Sequence, residues 1–96
     1  LVVPIEEFDH WIDMPAGLTA HLFEIARRIG VAQNTAFDPE RVGIIVAGYE
    51  VPHTHIHVIP THTMGQFNFA NAAAGVDRDE LESAAHAIRV ALQAQG

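Results

Sequence analysis

Apolar residues recur at helical spacing in two stretches of the chain. In the first stretch they follow steps of three and four and share one helical face: Leu18, Leu22, Ile25, Ile29, Ala32 and Ala36. The second stretch shows comparable spacing: Leu81, Ala85, Ile88 and Leu92. We expect the first helix to begin at Asp13-Met14-Pro15, with Asp as its cap, and to end at Asp38-Pro39. Asp77 and Glu80 resemble a capping box at the start of the second helix.

Between the two helices the pattern changes to that of β-strands. The apolar run 42–47 predicts a short strand buried on both faces, and the alternating run 51–60 predicts a second strand. A short turn at 48–50 would join them as a hairpin. Residues 1–4 indicate a further buried strand, and 61–75 a long surface loop. Together these elements predict an α+β domain, with helices packed on one face of a mainly antiparallel sheet.

The length of 96 residues predicts a single domain over 1–96, and its abrupt apolar beginning suggests that an N-terminal segment of the natural domain is missing. Five Arg, no Lys and twelve acidic residues give a net charge of −7, which disfavours nucleic acid and anionic membranes as partners. No apolar run is long enough to predict a transmembrane helix. The absence of cysteine excludes disulfides, thiolate zinc sites and thiol nucleophiles, and fits a cytoplasmic location.

Seven histidines stand out in this acidic chain, and three of them alternate in the second predicted strand. His53, His55 and His57 would emerge on one side of that strand, with roughly 7 Å between successive positions. The other four are expected in a connector or at the surface: His10, His21, His62 and His86. The alternating set is therefore the candidate functional feature.

Three interpretations of these histidines are open from the residues alone. They could form an exposed polar face, although the apolar residues on the opposite side of the strand favour a more specific role. They could bind a divalent metal, but no Asp or Glu follows on the strand to complete a ligand set. They could also attack phosphorus, because an imidazole whose other nitrogen is held as a donor is a nucleophile, and neighbouring imidazoles can stabilise developing charge.

The stretch His53-Thr54-His55-Ile56-His57-Val58-Ile59, followed by Pro60, resembles the histidine triad (HIT) motif. Residues 1–4 resemble the strand that ends in Pro ahead of the first helix of HIT proteins. Gly48 with Val51 resembles the glycine loop that leads into the motif. Within the family, residues 47–53 are most similar to the small actinobacterial HIT proteins.

The resemblance implies a fold and a set of residue roles. It implies a HIT-like antiparallel sheet, of about five strands in the full domain and fewer in this chain, with two helices. His55 would be the nucleophile that carries a nucleotidyl group, His57 would contact the phosphate and the leaving group, and His53 would order the network. The substrate-binding residues implied are Gly48, Val51, His53 and His57. No metal and no cofactor would be needed.

The resemblance further implies a hydrolase or nucleotidyl transferase acting at the α-phosphorus of a purine nucleotide such as an AMP derivative, and a homodimer. The substrate would be a phosphoramidate or a dinucleoside polyphosphate. Tyr49 and Glu50 stand where the family has Gln and a hydroxyl residue, and Glu50 would repel a polyphosphate leaving group. This difference leaves open the alternative of a nucleotide-binding regulatory module with little turnover. A divalent-metal site on the triad is a further alternative.

Overall fold

The computed structural model describes residues 1–68 and 76–95 of the chain. Its elements follow in the order 3₁₀ turn Trp11–Asp13, α1 Ala16–Phe37, β1 Arg41–Ile45, β2 His57–Thr61, 3₁₀ turn Met64–Phe67 and α2 Arg78–Ala94. Two helices and an antiparallel pair of strands confirm the predicted α+β class. None of the helices within the described ranges is long and apolar enough to cross a membrane.

The first helix begins later than predicted and ends where predicted. Pro15 is its N-cap residue, and the Pro15 carbonyl accepts the first helical hydrogen bond from the Thr19 N–H at 2.9 Å. Asp13 lies in the preceding 3₁₀ turn, so the prediction that it caps α1 was wrong. At the other end Asp38 adopts a left-handed conformation with φ 47°, which stops the helix before Pro39.

The strands β1 and β2 pair antiparallel, with Ile44 opposite Val58, but both are shorter than predicted. Residues 46–56 connect them, so the predicted short hairpin turn was wrong and His53 and His55 precede the strand. The backbone of this connection bonds to the N-terminal segment instead of to β1. The Ile56 and Val2 N–H groups each donate to the other residue's carbonyl at 2.9 Å, which forms one β-bridge where a full first strand was expected.

The core lies between α1 and one face of this hairpin. Its buried apolar residues are Val2, Met14, Leu22, Ala26, Ile56 and Val58. Gly30 lies on the side of α1 that faces the sheet, where a Cβ would be in ordinary contact with the Val42 side chain at 3.4 Å. Ile44 is 47% exposed, so the prediction that β1 is buried on both faces was wrong. Among the described residues, α1 covers one face of β1, and the face that carries Ile44 is exposed.

The second helix packs against α1. The Asp77 side chain accepts a hydrogen bond from the Asp79 N–H, which confirms Asp77 as the N-cap of α2. The donor is one residue earlier in the chain than Glu80, the residue that the predicted capping box would use. Leu81 is 57% exposed, contrary to its predicted place on the buried face, while Ala91 is buried. The C-terminal half of α2 therefore makes the closer contact with α1, where Gln95 Nε2 donates to the Arg28 carbonyl at 3.0 Å.

The predicted loop 61–75 begins differently from the prediction, because Thr61 belongs to β2. After it, Thr63 and Gln66 form a reciprocal capping box around the 3₁₀ turn. This turn places the Phe67 ring against Gly43 of β1. Positions 69–75 of the predicted loop lie outside the described residues.

Candidate active site

His53 is held by the N-terminal segment. Its Nε2 lies 2.9 Å from the Pro4 carbonyl oxygen. A carbonyl oxygen can only accept, so Nε2 carries the proton and donates it in this hydrogen bond. This contact joins the first histidine of the triad to a residue far away in the sequence and fixes the orientation of its half-buried ring.

His55 is held by its own backbone neighbourhood. Its Nδ1 lies 2.8 Å from the His53 carbonyl oxygen, and by the same reasoning Nδ1 is the protonated nitrogen. In the neutral ring Nε2 then has no proton and keeps a lone pair. An imidazole in this tautomer is suited to attack an electrophile through Nε2.

The geometry at His55 depends on Thr54, which lies between the first two histidines. The Thr54 N–H and Oγ1–H both donate to the Phe8 carbonyl, at 2.7 and 2.9 Å. Thr54 is buried, so these bonds pair polar groups that water does not reach. These two hydrogen bonds to the Phe8 carbonyl hold the backbone outside the β1–β2 ladder and set the direction of the His53 carbonyl.

His57 begins β2 and lies beside His55. The two ring centroids are 5.0 Å apart with an interplanar angle of 75°, an edge-to-face contact. Burial, together with the positive charge that His55 can carry, holds the pKa of His57 below its usual value. His57 is thus favoured in its neutral form beside the His55 ring.

A pocket of about 170 Å³ opens beside His55. It is lined by Asp9, His10, Trp11, Val46, Ala47, Gly48, Thr54 and His55. Gly48 has φ 78°, a left-handed conformation that favours glycine, so the loop at this point depends on it. Val51 is 53% exposed and does not line the pocket, although its carbonyl accepts the His53 N–H at 2.8 Å.

Sequence reasoning did not anticipate Asp9 and Trp11 at this pocket, and it placed His10 only in a connector. His10 lines the pocket and its Nδ1 accepts the Ile12 N–H at 3.4 Å. No local pattern marks these three residues, because they reach His55 only through the long-range bonds of residues 2–8. Their signal is the polar and aromatic composition of the connector that follows Pro4.

The other predicted histidines lie away from this cluster. His21 and His86 are exposed on the two helices, as predicted, and the exposed His62 donates its backbone N–H to Gln66. Within residues 1–68 and 76–95, no three His, Asp or Glu side chains gather closely enough to hold a metal ion.

An α+β domain with three alternating histidines that lead into a strand, beside a glycine loop, defines a histidine-triad type of protein. The family model of the HIT domain matches residues 1–64, and the chain belongs to the HIT family. The fold is similar to the crystal structure of a histidine triad (HIT) protein from Sinorhizobium meliloti 1021. That similarity has a TM-score of 0.74 and 20% sequence identity, over 91% of this chain and 69% of that chain. HIT proteins are generally nucleotide hydrolases or transferases.

Proposed function

We propose that this protein hydrolyses or transfers the nucleotidyl group of a purine nucleotide derivative through a covalent intermediate on His55. The observation that carries the proposal is the 2.8 Å hydrogen bond from His55 Nδ1 to the His53 carbonyl. This bond leaves the Nε2 lone pair available to attack the α-phosphorus. The substrate would be an AMP derivative, either a phosphoramidate or a dinucleoside polyphosphate.

The reaction has two balanced steps. In the first, the Nε2 lone pair forms a bond to the α-phosphorus while the bond to the leaving group breaks, and the departing nitrogen or oxygen keeps the electron pair and gains a proton. In the second, water attacks the same phosphorus and gives up a proton to solvent, the Nε2–phosphorus bond breaks with its electron pair returning to Nε2, and AMP is released. His57 stabilises the charge on the phosphoryl oxygens or the leaving atom by donating an N–H. The steps use imidazoles alone and call for no metal or other cofactor.

The remaining assignments follow from the position of each residue around His55. Gly48 lets the substrate approach the loop closely. His53 and His57, which precede and follow the nucleophile in the chain, bind the phosphate. Val51 contributes to substrate binding through the loop, where its carbonyl holds the His53 N–H. The protein acts as a homodimer in the cytoplasm, and the homodimer is supported by the exposed Ile44 on β1.

The first test is steady-state hydrolysis of adenosine 5′-phosphoramidate by the wild type and by His55→Asn. Asparagine cannot form the nucleotidyl intermediate, so turnover by this variant should fall to the uncatalysed background. His86→Asn is the matched control, because His86 is exposed on α2 and should keep wild-type turnover. Wild-type turnover by His55→Asn would overturn the proposal. Tight binding of AMP without any turnover by the wild type would favour a regulatory module instead.

A further inference from the structure

The two segments that build the site are acidic and carry no Arg or Lys. Segments 1–13 and 46–57 contain only acidic charged residues besides histidine: Glu6, Glu7, Asp9, Asp13 and Glu50. All five are exposed. These carboxylates would repel a polyphosphate leaving group, whereas they would attract a cation.

One of these carboxylates reaches the pocket beside His55. Asp9 lines that pocket, and within the described part of the chain its side chain has no hydrogen bond and no ion pair. The ion pairs found among the described residues are Arg27–Glu24 and Arg78–Glu82, both on the helices. The Asp9 carboxylate is therefore available to a ligand.

The other polar and aromatic walls of the pocket also suit a cation. Trp11 is partly exposed, and an indole face attracts ammonium groups more strongly than other aromatic side chains do. His10 accepts the Ile12 N–H through Nδ1 and presents an imidazole to the pocket. The pocket thus combines a carboxylate, an aromatic side chain and imidazoles.

The size of the pocket separates the leaving group from the nucleoside. Its volume is about 170 Å³, whereas pockets for drug-sized ligands take about 300–1,000 Å³. A volume of this size suits a short aminoalkyl chain better than a base with its ribose. Gly48 keeps one wall free of a side chain, and its φ of 78° would strain any replacement.

We propose that this pocket, defined by Asp9, Trp11 and Gly48, receives the leaving group and selects a small amine that carries a second, positively charged amino group. The inference rests on the proposed function and specifies its substrate class as a nucleoside 5′-phosphoramidate of a short diamine. The phosphorus–nitrogen bond breaks as His55 Nε2 bonds to phosphorus. The departing nitrogen keeps the electron pair and takes up a proton, while the distal ammonium stays beside Asp9 and Trp11.

The experiment compares three AMP phosphoramidates whose leaving amines have similar lengths and different charges. These are the N-(4-aminobutyl), N-butyl and N-(3-carboxypropyl) derivatives, in which the distal group is positive, neutral and negative. The wild type should give the highest kcat/KM for the aminobutyl compound, about tenfold above the butyl compound, and the lowest for the carboxypropyl compound.

Charge-neutralising variants identify the carboxylate that causes the preference. Asp9→Asn should lower the aminobutyl-to-butyl ratio of kcat/KM from about tenfold to about threefold or less. Asp13→Asn is the matched control, since it makes the same charge change two residues beyond Trp11 on a residue that does not line the pocket. It should keep a ratio close to that of the wild type.

The outcomes separate this inference from the proposed function. Equal kcat/KM for the three compounds, or the same loss of preference in both variants, would overturn the pocket assignment while the nucleotidyl chemistry stands. Absence of turnover with all three compounds and with adenosine 5′-phosphoramidate would overturn both. A higher kcat/KM for the carboxypropyl compound would contradict the charge argument directly.

Discussion

At the scale of single residues, the three histidines differ in what their ring nitrogens contact. His53 donates to the Pro4 carbonyl and His55 to the His53 carbonyl, while His57 meets the edge or face of the His55 ring. A backbone carbonyl can only accept a hydrogen bond, so it determines which ring nitrogen of its histidine partner holds the proton. The nucleophilic character assigned to His55 therefore originates in the backbone path of residues 53–55.

The pKa of His57 provides a prediction at this scale. Burial and the charge on His55 lower it, so its NMR titration midpoint should lie below the ordinary value of about 6.5. His55→Asn should move the midpoint upward, because it removes the neighbouring charge. A wild-type midpoint at or above 6.5 would contradict the packing described for this ring.

The same shift has a consequence for stability. The unfolded chain binds a proton at His57 more readily than the folded chain does, so the folded state loses stability as pH falls from about 6.5 through the lowered pKa. At pH values above that range His57 is neutral in both states, and this loss of stability does not occur. His57→Gln cannot titrate at this position, so urea unfolding should show a smaller loss for this variant between pH 7.5 and 5.5.

At the scale of elements, the approach of the 3₁₀ turn Met64–Phe67 to β1 depends on a residue without a side chain. A Cβ at Gly43 would overlap the Phe67 ring, so the ring must move if the residue is enlarged. Gly43→Ala should lower the free energy of unfolding by about 1–3 kcal/mol. The measurement is urea unfolding followed by circular dichroism.

Gly17 offers the control for this substitution. It lies in the first turn of α1 with nothing within 4 Å of the position that a Cβ would take. Gly17→Ala should leave the stability unchanged or raise it by up to about 1 kcal/mol, because alanine favours the helix. Equal effects of the two substitutions would show that the Phe67 contact does not restrict Gly43.

The helices and the strand pair could be predicted from the sequence because their periodicities are local. The connection 46–56 could not, since its hydrogen-bond partners Phe8 and Val2 lie more than forty residues away in the chain. The same reason applies to the site. The alternating histidines show themselves by residue type, whereas Asp9 and Trp11 come beside His55 only after the N-terminal segment has paired with Thr54 and Ile56. Leu81 follows helical spacing but lies beyond the contact with α1.

At the scale of the whole molecule, apolar side chains remain exposed around the site and the sheet. Those near the N-terminal segment and β1 are Leu1, Val3, Ile5, Trp11, Ile12 and Ile44. β1 pairs with one strand within the described residues, so its other edge offers unpaired backbone groups. An apolar surface next to an unpaired strand edge favours association with another copy of the chain.

We therefore expect a homodimer at micromolar concentration. Sedimentation velocity should give twice the chain mass of 10.5 kDa. Ile44→Glu should shift the equilibrium toward the monomer, since it places a charge on the exposed side of β1. Ile12→Glu provides a comparison at the first 3₁₀ turn. A monomer for the wild type at that concentration would contradict the assembly.

The net charge of −7 acquires a more specific meaning at this scale. The phosphate site that we propose would be built from imidazoles within a surface that repels polyanions. The charge thus disfavours polyphosphate leaving groups at long range, in the same direction as Asp9 acts at the pocket beside His55. Raising the salt concentration should weaken the long-range repulsion of polyphosphate leaving groups. It should affect the contact with Asp9 in the pocket less.

Trapping the covalent intermediate would show whether His55 Nε2 bonds to the α-phosphorus. The wild type is mixed rapidly with adenosine 5′-phosphoramidate, quenched in alkaline denaturant, and examined by intact-protein and peptide mass spectrometry. We expect a transient mass increase of one adenylyl group, mapped to His55 and absent from His55→Asn. Rapid turnover without any labelled protein, or a label on another residue, would contradict it.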